Sequence, residues 1–238
     1  MTVRLYWKDA YMREFDSTVE GVDGNRVILK ETAFYPKGGG VLNDTGTLTV
    51  NGVGCRVADV SKEGDTIFHH VEGIPQIKPG DSVHGVIDWQ RRYSLMRYHT
   101  AVHLMDGIVE KRYQAGGITG GQIFPDRARI DFAMSGLSRE VAQKIIDEAN
   151  AAVLEGHRVL AKSLTREEAL AIPNLARTEP GREMMKAMDS VRVVEIEGID
   201  MQMDGGLHVA NTKEIGRISL SSFENKGKNS KRVEITLE

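Results

Sequence analysis

The chain has 238 residues, of which 40% are hydrophobic and 27% charged, a composition that is ordinary for a globular protein and sufficient for one large domain or two small ones. No apolar run approaches the roughly 20 residues that a spanning helix needs, and the N-terminus carries no apolar signal segment, so we expect a cytoplasmic protein without membrane contact. The net charge of −3 excludes a global positive field for nucleic acid, and the single cysteine, Cys55, excludes an internal disulfide framework.

The first part of the chain, residues 1–88, has the pattern of short strands separated by glycine and proline turns. The predicted strands are residues 27–29, 46–50, 57–60, 66–71 and 83–87. Asn51-Gly52 is a strong signal for a tight hairpin. These features predict a small antiparallel domain resembling a β-barrel.

The pattern changes at Asp88, and we predict a domain boundary there. Helices are predicted at residues 89–113, 138–155 and 165–172, and strands at residues 128–132, 158–164, 191–197, 217–222 and 232–237. This mixture predicts an α+β domain over residues 89–238, with helices packed on one face of a sheet. Pro180-Gly181 interrupts any regular pattern, so residues 174–186 are expected to be the most mobile segment.

Two pairs of ligand-type side chains predict a metal site. His99 and His103 are four residues apart in a predicted helix, which places both imidazoles on one face. Asp204 and His208 are also four apart, and they bracket a Gly-Gly turn. A pair from a helix and a pair from a distant turn can form a four-point site, so one bound zinc ion is the leading hypothesis.

Spacing alone leaves alternatives open. A histidine pair at helical spacing is more often a surface or core feature than a metal site. Asp204 could complete a closed set of ligands, or a water could take the fourth position and leave a catalytic site. The residue after His99 is Thr100 rather than glutamate, which argues against a metallopeptidase with a His-Glu-x-x-His motif.

Three further features are candidates for ligand binding. Gly38, Gly39 and Gly40 form a loop whose backbone can approach another surface closely. Thr119 places a hydroxyl on a glycine-rich approach to a strand. Local basic patches could contact phosphates, although each could equally be a solvated face. Their members are Arg91, Arg92, Lys226, Lys228, Lys231 and Arg232.

Together these segments resemble the editing domain of alanyl-tRNA synthetase. The resemblance rests on several ordered motifs: His-Thr-Ala-x-His at residues 99–103, Gly-Gly-x-His-Val at 205–209, Asn-Thr-Lys-Glu-Ile-Gly at 211–216, the Phe-Tyr-Pro-x-Gly-Gly-Gly loop at 34–40, and Pro-Asp-Arg-Ala-Arg-Ile-Asp-Phe at 125–132. Because the chain lacks the sequence and length for a synthetase active site, it is most similar to the freestanding AlaX editing proteins of the medium-length class.

The resemblance implies a zinc-dependent hydrolase that deacylates alanine tRNA wrongly charged with serine or glycine. It implies that His99, His103 and His208 are zinc ligands. The fourth ligand of the family is usually a cysteine at the position of Asp204, so this chain departs from the family there. The resemblance further implies that Thr119 is the catalytic-site partner of the serine hydroxyl, that the glycine loop borders the substrate pocket, and that the basic residues bind tRNA.

Two other functions remain open at this stage. A non-catalytic, zinc-stabilised RNA-binding module would share the ligands and the basic patches but would lack turnover. A metal hydrolase that acts on a small ester or amide would not depend on tRNA. The oligomeric state is open as well.

Overall fold

The computed structural model describes residues 1–73, 76–113, 116–227 and 230–238. The chain divides into two compact units, Met1–Leu95 and Met96–Glu238, and the division lies inside a helix. The domain boundary predicted at residue 88 stays a prediction. The separate roles predicted for the two parts of the chain stay predictions. Within the described ranges, no helix is both long enough and apolar enough to cross a membrane.

The first unit contains eight of the described strands. They are β1 Val3–Arg4, β2 Glu14–Asp23, β3 Arg26–Leu29, β4 Glu31–Thr32, β5 Gly46–Val50, β6 Val53–Glu63, β7 Thr66–Glu72 and β8 Ser82–Ile87. Six of them close into an antiparallel barrel in the order β2-β3-β7-β6-β5-β8, while β1 pairs in parallel with β4. The predicted barrel is therefore confirmed. Strand β2 was not predicted, because its inward residues Phe15 and Val19 are separated by polar residues.

Two glycine-containing turns in this unit share positive φ angles at both central residues. Asn51 and Gly52 join β5 to β6 with positive φ angles of 49° and 78°, as a type I′ turn requires, so the predicted hairpin is confirmed. In the glycine loop, Gly38 and Val41 exchange backbone hydrogen bonds of 3.1 and 2.9 Å around Gly39 and Gly40. These two glycines have φ angles of 59° and 82°, which side chains rarely allow. The loop is thus a defined turn.

A buried ion pair connects the start of the first long helix to the loop before β5. Arg92 is 1% exposed, and its Nε donates to both carboxylate oxygens of Asp44 at 2.8 and 3.0 Å. The same guanidinium donates to the carbonyls of Ala10, at 3.0 Å, and Ala33. Asp44 also accepts from the backbone N–H of Tyr35 at 2.6 Å. Both charges are therefore compensated inside the unit.

The second unit is built of helices and two sheets. The helices are α1 Trp89–Ile108, which begins in the first unit and continues as a π-helical turn Val109–Tyr113, α2 Arg139–Glu155, α3 Arg166–Ala171 and α4 Glu179–Ala187. The strands are β9 Gly116–Ile123, β10 Ala128–Ala133, β11 Val159–Thr165, β12 Ser190–Ile196, β13 Asp200–Met203, β14 Ile218–Gly227 and β15 Ser230–Leu237. They form a four-stranded sheet, β14-β15-β10-β9, and a three-stranded sheet, β11-β12-β13. The predicted α+β class is confirmed, with two sheets where one was expected.

Capping residues in the sequence predict where α2 begins and ends, but the start of α4 was not predicted. Ser138 caps α2 through a hydrogen bond from Val141 N, and Gly156 ends it in the left-handed conformation. The expectation that Pro180-Gly181 interrupts any regular pattern is wrong, because both residues lie in α4. The mobility expected for residues 174–186 stays a prediction. Thr178 caps α4, and Pro180 occupies its first turn, where a missing N–H costs nothing. Proline there starts a helix instead of interrupting one.

The buried Arg92–Asp44 pair generates a stability prediction. Replacing Arg92 with methionine leaves the Asp44 carboxylate buried and unpaired, so the free energy of unfolding should fall by about 3–5 kcal/mol. The matched control is Arg56→Met, because Arg56 pairs with Glu72 at the surface with both side chains more than half exposed. That change should cost less than about 1 kcal/mol in urea denaturation. Equal costs for the two variants would contradict a structural role for the buried pair.

Candidate metal centre

Helix α1 supplies the first two imidazoles. His99 and His103 lie one turn apart on its buried face and are only 4% and 7% exposed. Their ring centroids are 4.8 Å apart and the rings are nearly perpendicular. The helical spacing therefore places both rings in the same buried volume, as the sequence predicted.

The turn after β13 supplies the other two side chains. Asp204 N donates to the Arg192 carbonyl at 3.1 Å, which extends the pairing of β13 with β12 by one residue. Gly206 lets this turn pack directly on α1. A Cβ atom at residue 206 would lie 2.4 Å from Cε1 of His99 and 3.2 Å from Asp204 Oδ2. Only glycine fits between the turn and the helix, and this brings His208 beside His99.

The four side chains converge on one point. One ligand atom from each of His99, His103, Asp204 and His208 can be chosen so that all four lie within 4.8 Å of one another. The ring centroid of His208 lies 4.2 Å from that of His99 and 4.7 Å from that of His103. Asp204 is largely buried, with 15% of its side chain exposed. The structure thus brings together all four residues of the predicted quartet.

Two of the imidazoles have their Nδ1 atoms turned toward acceptors. His99 Nδ1 lies 3.3 Å from the Leu207 carbonyl oxygen, which can only accept, so Nδ1 carries the proton. His103 Nδ1 lies 3.4 Å from Oδ2 of the fully buried Asp200 carboxylate. In both rings this arrangement leaves the lone pair of Nε2 available to the shared point. Metal-binding histidines are oriented in this way in proteins.

Thr100 has the corresponding role for His208. The Thr100 hydroxyl donates to the Met96 carbonyl at 2.9 Å and accepts from the Val209 N–H at 3.2 Å. It lies 3.1 Å from His208 Nδ1, so its remaining lone pair can accept the Nδ1 proton. His208 Nε2 then faces Asp204 Oδ2 at 3.0 Å with a lone pair. A cation between this nitrogen and the carboxylate would satisfy both.

Burial and charge set the protonation of the cluster. Burial, reinforced by His208, holds the pKa of His99 well below its usual value, and burial lowers the pKa of His208 to about 4. Burial opposes ionisation of Asp204, but the surrounding imidazoles outweigh it and hold its pKa well below the usual range. For His103, burial is outweighed by the nearby Asp200 and Asp204 carboxylates, which raise its pKa. Neutral imidazoles beside a carboxylate are the forms that bind a divalent metal ion, and His99, His208 and Asp204 have these forms. The raised pKa of His103 means that a bound metal ion would displace a proton from this ring.

The other predicted site residues lie outside this cluster. Thr119 is exposed on β9, and its hydroxyl donates to the Asp131 carbonyl at 3.1 Å. The glycine loop belongs to the first unit, whereas the quartet belongs to the second. The contact with substrate that the sequence predicts for Thr119, Gly38, Gly39 and Gly40 therefore stays a prediction.

The structure separates the predicted phosphate contacts into two groups. Arg92 and Lys231 are buried: Arg92 is held by Asp44, and Lys231 Nζ donates to Asn225 at 2.7 Å and to the Gly227 carbonyl. A phosphate could reach either group only if these bonds broke, so their contact with tRNA stays a prediction. The remaining members are more accessible: Arg91, which donates to the Asn43 carbonyl, Lys226, which pairs with Glu224, and Arg232, which pairs with Asp131. Lys228 lies outside the described residues.

Comparison with known proteins decides the family. A profile described as class II (A) tRNA synthetases matches residues 7–91, and one described as the second additional domain of threonyl and alanyl tRNA synthetases matches residues 191–234. The alanyl-tRNA editing protein AlaX-M of Saccharolobus solfataricus is 43% identical over the full length of both chains. The chain belongs to the AlaX-M family of alanyl-tRNA editing proteins. The AlaX-M protein of Methanosarcina mazei is 38% identical over all of this chain and 97% of that protein.

The chain also resembles part of a larger enzyme. The alanine–tRNA ligase of Ignicoccus hospitalis is 40% identical over 93% of this chain, but the matched region is only 24% of that ligase. The resemblance noted in the motifs to AlaX proteins and to alanyl-tRNA synthetase is therefore confirmed.

Sequence reasoning missed the residues around the quartet in this AlaX-M protein. Thr100 lies between the two histidines of α1, but its place in the sequence gives no sign of its contact with His208. Asp200 lies on a strand that was not predicted, so no spacing rule could place it beside His103. Its one signal in the sequence is a carboxylate between two apolar residues, Ile199 and Met201.

The close approach at Gly206 generates a test of the site geometry. Gly206→Ala should displace the turn from His99 and weaken binding of added Zn²⁺ by on the order of 10-fold or more, as loss of ligand orientation does. Gly136→Ala is the control, because residue 136 is exposed and a Cβ there meets no atom within 4 Å. Competition with a chromophoric chelator measures both affinities. Equal affinity in the two variants would show that the turn does not set the site.

Proposed function

We propose that this protein hydrolyses the ester bond of mischarged alanine tRNA in trans and releases the free amino acid and the tRNA. The observation that carries the proposal is the buried quartet of three imidazoles and a carboxylate. It occurs in a chain that matches alanyl-tRNA editing proteins along its whole length. Serine and glycine are the amino acids that we propose it removes.

The proposed cofactor is one zinc ion. His99, His103 and His208 would supply neutral nitrogen ligands, and Asp204 an oxygen ligand. A zinc ion held there would lower the pKa of a bound water or polarise the ester carbonyl. The ligand set contains no thiolate, so its ligands are chemically harder than those of a site with cysteine. Such a set can also bind other divalent ions of the first transition row.

The protein's own residues supply the preorganisation that an activated ester needs. The Leu207 carbonyl, Asp200 and Thr100 each face the Nδ1 of one imidazole, so the rings are held before substrate arrives. Because His99, His103 and His208 are at least nine-tenths buried, little water competes with these contacts. Fixed polar groups in a site that excludes water are worth more than the same groups in solution.

Discrimination between serine and alanine requires a partner for the serine hydroxyl. A site built to bind a hydroxyl rejects a substrate that lacks it, because its own polar group is then left unpaired. We propose Thr119 for this role. Its hydroxyl proton is directed to Asp131, so its lone pairs are the groups that could accept from serine. The turn at Gly38, Gly39 and Gly40 is a second candidate for substrate contact, since it presents backbone without side chains.

The tRNA would be bound by local charge, since the net charge is negative. Arg91, Lys226 and Arg232 are the described members of the predicted set that have some exposure. Lys228 is kept as a candidate from its sequence alone. A non-catalytic RNA-binding module is not favoured, because the relatives that match over their full length carry the name of editing proteins.

The function predicts a defined pattern of deacylation. Seryl- and glycyl-tRNA(Ala) should be hydrolysed and alanyl-tRNA(Ala) spared, and a zinc chelator should remove the activity. His103→Ala should lower the rate by more than about 100-fold, beyond the effect typical of residues behind the ligands. His157→Ala is the control, because His157 binds Glu155 and the Glu197 carbonyl outside the quartet. Full activity in His103→Ala would remove the quartet from the mechanism.

A second prediction concerns the carboxylate. Asp204→Cys should keep or raise the zinc content of the purified protein, because thiolate is a softer ligand that zinc binds well. The measurement is the ratio of zinc to protein by elemental analysis, beside Asp189→Cys, which changes a carboxylate with a 95% exposed side chain elsewhere in the same unit. Loss of zinc in Asp204→Cys alone would show that residue 204 is not at a ligand position.

A further inference from the structure

We propose that Asp200 is the positioning residue of His103, and that Arg177 holds it in place. The proposal rests on the proposed metal site. Asp200 begins β13, and its side chain is fully buried. Its Oδ2 lies 3.4 Å from His103 Nδ1, and that nitrogen has no hydrogen-bond partner among the described residues. An unpaired buried N–H is costly, so this contact is the one that should tighten when Nε2 takes a ligand.

Hydrogen bonds from Arg177 and Gln202 hold both carboxylate oxygens of Asp200. Oδ1 accepts from Arg177 Nη2, and Oδ2 accepts from Gln202 Nε2 at 2.9 Å. Gln202 Nε2 also donates to Oδ2 of Asp106 at 2.9 Å. The Asp200 carboxylate therefore cannot turn away from His103 without losing hydrogen bonds in a buried environment. Its free lone pair on Oδ2 is the one that faces the imidazole.

Arg177 joins three carboxylates that would otherwise repel one another. Its guanidinium, 12% exposed, donates to Asp106 on α1, to Glu110 in the π-helical turn that follows α1, and to Asp200 on β13. Asp106 also accepts from the Ile118 N–H at 3.1 Å, which ties the start of β9 to the same network. One cation thus fixes the strand that carries Asp200 against the helix that carries His103.

Gly107 makes this approach possible. It lies one turn after His103, beside the last residue of α1, and the helical backbone continues beyond it in the π-helical turn. Glycine in helical backbone is unfavourable relative to alanine. A Cβ at residue 107 would lie 2.7 Å from Cβ of Asp200 and 2.9 Å from the Ile199 carbonyl oxygen. The glycine thus costs helix stability but lets the β12–β13 turn seat the carboxylate beside the imidazole.

The test measures zinc affinity in the full chain, with the metal alone as the probe. Asp200→Ala, Asp200→Asn and Gly107→Ala should each bind Zn²⁺ about 10–100-fold more weakly than the unchanged protein. Arg177→Lys should weaken binding in the same direction, because an ammonium cannot bridge three carboxylates in the planar geometry of a guanidinium. Gly107→Ala improves helix propensity, so weaker binding in this variant cannot be ascribed to a weaker helix.

A spectroscopic measurement separates positioning from a general structural role. In the zinc-loaded unchanged protein, the ¹⁵N resonances of His103 should report a proton on Nδ1 bonded to a carboxylate. Asp200→Ala should shift that Nδ1 signal and leave the His99 and His208 signals in place. Asp189→Asn, an exposed carboxylate paired with Arg166, should change neither the affinity nor these signals.

The outcomes are distinct. Zinc affinity within twofold of the unchanged protein in folded Asp200→Asn and Gly107→Ala would overturn the positioning role. If Asp200→Ala does not fold, the Gly107→Ala and Arg177→Lys results decide alone. Failure of the unchanged protein to bind zinc would instead count against the proposed metal site, so the two failures can be told apart.

Discussion

Three imidazole rings and one carboxylate occupy a single small buried volume, and the surrounding structure is arranged so that this is possible. Burial keeps His99 and His208 neutral, and each of the three rings has Nδ1 directed at an oxygen of the protein. With these two rings neutral and no cation at the centre, lone pairs would face the Asp204 carboxylate in a poorly hydrated site. The electrostatic requirement for a bound cation is therefore the constraint on which the proposed chemistry depends.

Two glycines and a network of charges, remote from one another in the sequence, bring the four side chains together. Gly206 lets the turn of Asp204 lie against His99, and Gly107 lets Asp200 lie against the helix one turn beyond His103. Arg177 bridges three carboxylates beside the site and lowers the repulsion between them. The AlaX-M relatives indicate a function for this arrangement, because they match the chain along its full length.

Local patterns predicted what local interactions decide. The I′ hairpin at Asn51-Gly52, the Ser138 cap and the helical spacing of His99 and His103 each follow from a few neighbouring residues. Longer-range features escaped prediction. Strand β13 is short and polar, and Asp200 reaches His103 only through pairing of β13 with β12. Pro180 was interpreted as a break, although the same residue starts α4 once Thr178 caps it. Burial of Arg92 depended on Asp44, 48 residues earlier in the chain, so its basic charge alone suggested a phosphate contact.

X-ray absorption at the zinc edge of the loaded protein tests the central claim most directly. The account predicts three imidazole nitrogens and at least one oxygen at about 2.0–2.2 Å, with no sulfur in the first coordination sphere. Multiple scattering from fewer than three imidazoles, a sulfur ligand at about 2.3 Å, or a protein that takes up no zinc would contradict it.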